Sequence, residues 1–228
     1  MAIRRTKELA DFPLFDDLDA RELQDLQARS QSRALAKSRL LYLPGDEADC
    51  VYFLCSGRVK ISRLSDNGKE FILEIIEPGT FFGETGVIGE KPRETVAEAL
   101  ESSSVSAVPA APFRALLRRR PELLMKLTQV LGSRQKQLEK RLMDVVYKNA
   151  PQRLADLLLH LSDSYGVRDS RGILLRIKLS QSALGNFLGV SREIVNHTFS
   201  GLRRQGVIEV EQGLVIIRHP EELARLAA

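Results

Sequence analysis

Between Leu179 and Leu202 the chain reads LSQSALGNFLGVSREIVNHTFSGL, and the polar residues of its second half are of types that can read a base edge. Arg192, Glu193, Asn196, His197 and Ser200 recur at steps of one and three, which in a helix leaves them on one outer face. An arginine can donate to both acceptors of a guanine, and a glutamate can accept from a cytosine amine. Asn196 and His197, one turn further on, could touch a base or a phosphate. Ser180, Gln181 and Ser182 stand where phosphate contacts would orient the pair of helices without specifying sequence.

Two short helices must position these groups. Leu184, Phe187 and Leu188 give the first an apolar face, and Gly189-Val190 breaks it. Ser191 is a suitable N-cap, since its hydroxyl can accept from an orphan amide. Glu193 falls in the first turn, where a negative charge suits the helix dipole. The second helix is expected to bury Ile194, Val195 and Phe199. Ala183, Gly185 and Gly189 are small where the two helices cross. This is the sequence form of a helix-turn-helix whose second helix enters a DNA major groove. The competing reading, a helical hairpin in a core, leaves the polar outer face unused.

The flanks fit that frame. Ala150-Pro151 marks a hinge, and Pro151–Tyr165 is amphipathic through Leu154, Leu157, Leu158 and Leu161. A polar loop is expected over Gly166–Gly172 and a strand over Leu174–Leu179. Gly206–Val210, a turn at Gln212-Gly213 and Leu214–Ile217 form a hairpin, which makes the motif a winged helix-turn-helix. A short helix over Pro220–Leu226 follows.

A second constellation lies in the first half. Phe81-Phe82-Gly83-Glu84-Thr85-Gly86 is followed by Pro92-Arg93-Glu94-Thr95. Glycines let backbone amides approach an anion closely. Glu84 could hold a hydroxyl and Arg93 a phosphate, whereas an internal Glu84–Arg93 ion pair explains the same spacing slightly better. Around it run short β-type stretches at Leu41–Leu43, Val51–Leu54, Val59–Ser62, Phe71–Ile76, Glu94–Leu100 and Ser104–Val108. Pro44-Gly45, Ser56-Gly57, Asp66-Asn67-Gly68 and Pro78-Gly79 separate the first four of them and close the fourth. Many short strands at even spacing argue for a β sandwich or barrel. Asp16–Leu35 ahead of them reads as helix.

Pro112 and Pro121 read as helix starts, the second opening a long helix to about Tyr147. Leu124, Leu127, Leu131, Leu138, Leu142 and Val145 fall near one face, and a second copy of the helix is the simplest cover for them. The expected organisation is a sensing barrel over 1–111, a linker and dimerisation helix over 112–147, and a DNA-binding domain over 148–228. Charge follows the same division. Residues 1–111 carry 14 Lys and Arg against 19 Asp and Glu, residues 112–147 carry 9 against 3, and residues 148–228 carry 11 against 8. The acidic first half is a poor partner for phosphate and the basic remainder a suitable one.

Other classes fit less well. No apolar run approaches the length of a membrane span, and MAIRRTKELADF lacks the apolar segment of a secretory signal, so the expected location is the cytoplasm. Cys50 and Cys55 are too few for a disulfide framework and fall on opposite faces of one strand. His160, His197 and His219 show no metal-ligand spacing, and no nucleophile–base pair stands out, so neither a metal site nor an enzyme is expected.

From about Phe15 to Leu226 the chain resembles the CRP/FNR superfamily of bacterial transcription regulators. The most specific pieces are Phe82-Gly83-Glu84, the long central helix and Leu188-Gly189-Val190-Ser191-Arg192-Glu193-Ile194-Val195. The resemblance implies an α+β fold: an N-terminal cyclic-nucleotide-binding jelly roll, a long central dimerisation helix and a C-terminal winged helix-turn-helix. It implies a homodimer on a palindromic promoter, in contact with RNA polymerase. Gly83 and Glu84 match the family's glycine and ribose-binding glutamate, Arg93 its phosphate-binding arginine, and Thr95 lies in the same loop. The family's next serine is Glu94 here, and the loop before it is one residue short. The central-helix threonine and serine that hold adenine align with Leu138 and Glu139. A cyclic nucleotide stays open as effector, while cyclic AMP is disfavoured. The family's iron–sulfur sensors need more cysteines, and its haem sensors a histidine in the barrel. Arg192 and Glu193 match the recognition pair of TGTGA-type readers, with His197 at the next arginine position. A ligand-independent regulator controlled by its abundance, or a cyclic-nucleotide-binding signalling module, are the alternatives.

Overall fold

The computed structural model describes residues 7–89 and 92–228, so the MAIRRT start of the segment read above as no signal lies outside the described residues. The chain forms two compact units that meet in sequence at Lys136 and Gln137.

In the first unit, two short 3-10 turns, Leu9–Asp11 and Pro13–Phe15, lead into α1, Ala20–Arg29. Asp19 caps α1 by accepting from the amides of Arg21 and Glu22. The helix expected to reach Leu35 stops at Arg29. Ser30 is extended, and Gln31–Leu35 is a strand, β1. The strands that follow are β2 (Leu40–Tyr42), β3 (Cys50–Ser56), β4 (Val59–Leu64), β5 (Glu70–Ile76), β6 (Phe81–Phe82), β7 (Val96–Ala99) and β8 (Ser103–Pro109). They make two four-stranded sheets in the orders β1-β8-β3-β6 and β2-β7-β4-β5, with every pairing antiparallel. Pairing with β8 is what draws Gln31–Leu35 out of helix, since tertiary ladders override local propensity.

β3 is buried on both faces. Tyr52 and Leu54 point into one core with Val59, Ile76, Phe82 and Val105. Val51 and Phe53 point into another with Phe12, Phe15, Phe113, Leu123 and Leu127. Cys50 joins the first core and Cys55 the second, both as free thiols, as alternation along a strand requires. Burying Phe53 completely is worth about 2–3 kcal/mol.

Three further helices follow α1 in chain order. α2 (Thr85–Ile88) follows β6 directly. α3 runs Ala110–Arg119, two residues ahead of the expected start at Pro112, because the chain turns helical as soon as β8 ends. α4, Pro121–Tyr147, spans the boundary between the units. Its buried residues in the barrel unit are Leu123 and Leu127, with Val130 and Leu131 packed beside them. Leu124, placed in that stripe by spacing, is 46% exposed, one helical step off the buried face.

The second unit contains α5 (Ala150–Tyr165), capped by Asn149, which accepts from Gln152 N and whose own amide donates to Gln152 Oε1. Gly166–Asp169, expected as loop, is a strand, β9, and pairs with β10 (Gly172–Leu175). β10 is shorter than the expected Leu174–Leu179 strand because the chain leaves the sheet before Ser180 caps α6. α6 is Gln181–Leu188 and α7 is Arg192–Arg204. β11 (Ile208–Glu211) and β12 (Leu214–Ile217) form the wing hairpin, and α8 is Pro220–Ala227. The sheet order is β11-β12-β10-β9. Leu154, Leu158, Leu175, Leu184, Val195, Phe199, Leu202, Ile216 and Leu223 are buried.

Candidate functional site

The two helices at Ser180–Arg204 are built from the caps that the sequence indicates. Ser180 Oγ accepts from Ala183 N at 3.1 Å and Ser191 Oγ from Ile194 N at 3.4 Å. Gly189 closes α6 in the left-handed region. The turn is tight because Gly185 has no side chain: a Cβ there would lie 2.7 Å from Val190 O. α7 buries Val195, Thr198, Phe199 and Leu202. Ile194, expected to be buried with them, is 45% exposed, since it lies just outside the arc those four define.

The outer face of α7 carries Arg192, Glu193, Asn196, His197 and Ser200, all exposed, with Arg203 and Arg204 at its end. Asn196 Oδ1 accepts from Gln181 Nε2 at 3.3 Å, so the first helix steadies a polar group of the second. Glu193 is held below the usual carboxylate range by its own backbone amide, then by Ser191 and the charge of Arg192. It is therefore an acceptor near neutral pH. Ser182, beside the cap, is exposed. The arrangement offers a guanidinium, a carboxylate and an amide on one helix face, the donor and acceptor set that base edges in a major groove require.

The first-half constellation is arranged differently from its spacing. Gly83, Arg93 and Thr95 come together around Tyr42 and Tyr52. Arg93 is 2% exposed. Its Nη1 donates to Gly83 O at 2.9 Å and its Nη2 to Cys50 O, while its Cζ sits 4.4 Å from the Tyr42 ring centroid. Among the described residues its Nε has no partner. Gly83 has φ +74, and a Cβ on it would meet Arg93 Nη1 at 2.8 Å, so both conformation and space require glycine. Thr95 hydrogen-bonds the Tyr42 hydroxyl, whose pKa burial pushes up to about 12.

Glu84 does not pair with Arg93, so the expected ion pair is replaced. Its carboxylate faces Arg134 of α4, Nη1 to Oε2 3.4 Å. Arg134 also meets Glu74 at 3.1 Å and donates to Phe81 O. Glu94 lies on the surface with Arg63 at 2.7 Å. Arg114 of α3 donates to Val87 O and Gly86 O, at 2.8 and 2.9 Å, and so caps the end of α2. A hollow of about 490 Å³ near Phe12, Phe81, Lys126 and Val130 is lined by none of Gly83, Glu84, Arg93 and Thr95.

Two family models match the two units: the cyclic nucleotide-binding domain over residues 32–120 and the Crp-like helix-turn-helix domain over 152–226. The chain is 30% identical over 212 residues to the transcriptional activator protein Anr of Pseudomonas protegens, covering 93% of this chain and 85% of that one. The chain belongs to the CRP/FNR superfamily of transcription regulators. It is 27% identical, over 96% of its length and 98% of the relative's, to a CRP-like cAMP-activated global transcriptional regulator of Mycobacterium tuberculosis. The solved structure of a CooA mutant from Carboxydothermus hydrogenoformans shares the fold, with TM-score 0.78 over 98% of both chains and 21% identity.

For a CRP/FNR protein, the residues expected to hold an effector meet partners within the chain. The glutamate matching the ribose contact is held by Arg134, and the arginine matching the phosphate contact spends both terminal nitrogens on backbone carbonyls. As arranged, the Glu84 carboxylate and both terminal nitrogens of Arg93 have partners within the protein. Arg134 is the residue at this site that spacing arguments missed. The signal was available: it continues the face of Leu123, Leu127 and Val130 at three- and four-residue steps, a cation in line with a core stripe. Among the described residues, no helix is long and apolar enough to cross a membrane.

Proposed function

We propose that two copies of this chain pair along α4 and bind a palindromic DNA site through α7, and that they do so without cyclic AMP. The observation that carries the DNA reading is the division of α7 into a buried apolar face and an outer face of Arg192, Glu193, Asn196 and His197. Arg192 reads a guanine of a G·C pair and Glu193 the amine of a cytosine. Ser180, Ser182 and Ser191, at the two helix starts, lie on the backbone phosphates and set register. Pairing is supported by the exposed apolar residues Leu138, Leu142, Met143, Val145 and Val146 on one helix, which water alone would leave uncovered. Contact with RNA polymerase and action in the cytoplasm belong to the same reading.

Arg134 supports the cyclic-AMP-independent state. It supplies, from within α4, a positive charge to Glu84 and Glu74 and so ties the helix to the barrel. Gly83, Arg93 and Thr95 then serve to build the loop that carries Glu84. A second reading, favoured by the cyclic nucleotide-binding domain match, has a cyclic nucleotide displace Arg134 and reorganise that loop. Selection of bound duplexes from random DNA tests the first reading. A palindrome with half-site centres about one helical turn apart, obtained without any nucleotide, is the expected result. Enrichment of a non-palindromic site, or none without nucleotide, would contradict it.

A further inference from the structure

The last carbonyls of a helix have no intrahelical donors. In α6 the amides of Gly189 and Val190 both turn to Gly185 O, which leaves Phe187 O and Leu188 O to find partners elsewhere. Two guanidiniums supply them. Arg141, on α4, donates from Nη2 to Phe187 O at 2.6 Å, and its Cζ lies 4.1 Å from the centroid of the Phe187 ring. Arg153, on α5, donates from Nη1 to Leu188 O at 3.1 Å. Both cations meet the negative end of the α6 dipole. Arg141 is substantially desolvated there, enough to draw its pKa down to about 10.

The position of Arg141 on α4 gives this contact its meaning. At 3.6 residues per turn it falls about 60° from Leu138 around the helix axis, beside the exposed Leu138–Leu142–Val145 stripe. α6 in turn packs against α7, and the close approach of Gly185 to Val190 O holds the turn between them tight. One route from the apolar stripe of α4 to the DNA-facing helix therefore runs through one side chain and one short helix, beside the direct packing of α5 on α7.

We propose that Arg141 is a positioning residue: by pinning the end of α6 to α4 it fixes the angle of α7 to the pairing helix, and thereby the half-site separation that a dimer accepts. Arg153 holds the same helix end to α5. This rests on the reading that two chains pair along α4 and bind a palindrome. Arginine suits the role because its planar fork can stack on Phe187 and donate in the same plane, whereas a lysine offers only a point charge.

The test uses the full chain as wild type, Arg141→Ala and Arg141→Lys. Each is titrated by fluorescence anisotropy onto duplexes whose two half-sites are separated by gaps varied one base pair at a time, and onto a single half-site. Wild type is expected to prefer one gap over its neighbours by about tenfold or more, because a bivalent binder loses its linkage gain when geometry forbids both contacts. In both variants that preference is expected to shrink to within about threefold, with single half-site affinity held within about twofold. A variant that keeps the wild-type gap preference overturns the proposal. So does one that loses affinity equally on the single half-site and on every palindrome, since that is loss of fold and not of angle. Wild type with no gap preference would overturn the pairing reading, and this proposal with it, before any variant is compared.

Discussion

Arg134 Nη1 lies 3.4 Å from Glu84 Oε2, and the arginine reaches that carboxylate from the same α4 face that buries Leu123 and Leu127 in the barrel core. A long helix and a loop are thus joined by a charge at the place where the family's ribose contact falls. Arg134 is 13% exposed, and Glu84 and Glu74 are 26% and 32% exposed, so the network is sheltered without being sealed.

Arg134→Ala is expected to destabilise the barrel unit by about 1–2 kcal/mol, below the cost of breaking a fully buried pair because solvent screens both carboxylates. Its pH dependence has a definite sign. Burial raises Glu74 above its usual value of 4.5, and the Arg134 charge pulls it back. A raised acid favours the fold most when protonated, so its contribution is full below the unfolded value and is lost as pH rises through the folded one. Removing Arg134 raises Glu74 further, so the deficit of the variant should be larger at neutral pH than near the unfolded value. Urea unfolding of both proteins across that range reads this directly. A deficit that grows as pH falls would contradict the arrangement.

Arg192→Ala is expected to weaken binding to the preferred palindrome by about 1–3 kcal/mol per half-site and to relax selection at one G·C position. A competition series with each base pair changed in turn is the check. Uniform weakening at every position, with selectivity intact, would make Arg192 a phosphate contact.

Gly185→Ala places a methyl carbon 2.7 Å from Val190 O, which is backbone and can move only with the turn. The expected cost is about 1–3 kcal/mol, the usual range for overpacking, felt as loss of DNA affinity and a lower unfolding midpoint. An unchanged midpoint would show that the turn is looser than the Gly185–Val190 approach indicates.

Leu142→Glu, at a position 64% exposed on α4, should leave the monomer folded and abolish pairing. Sedimentation velocity is expected to give a dimer for wild type and a monomer for the variant. A wild-type monomer at micromolar concentration would remove α4 as the pairing element.

The two-helix motif was the most legible part of the chain, because caps, a glycine turn and a two-faced second helix all act within one stretch of sequence. The wing was legible for the same reason: Gln212 and Gly213 both adopt positive φ, as a tight hairpin needs. β1 and β9 were not, since Gln31–Leu35 and Gly166–Asp169 become strands only by pairing with β8 and β10. The barrel site was half legible. Gly83 and Arg93 do meet, 10 residues apart, but through a backbone carbonyl, and Glu84 takes its partner 50 residues away on α4. Spacing shows which residues can meet nearby, and it does not show which of two arginines a carboxylate will take.

The most direct measurement is anisotropy of a fluorescent TGTGA-type palindromic duplex titrated with the purified protein, at two salt concentrations, with and without cyclic AMP. Tight binding that weakens with salt and is unchanged by the nucleotide is the predicted result, with Arg134 holding the barrel and α7 reading the groove. Binding that arises only when cyclic AMP is added would contradict it, and would mean that the nucleotide displaces Arg134 from Glu84.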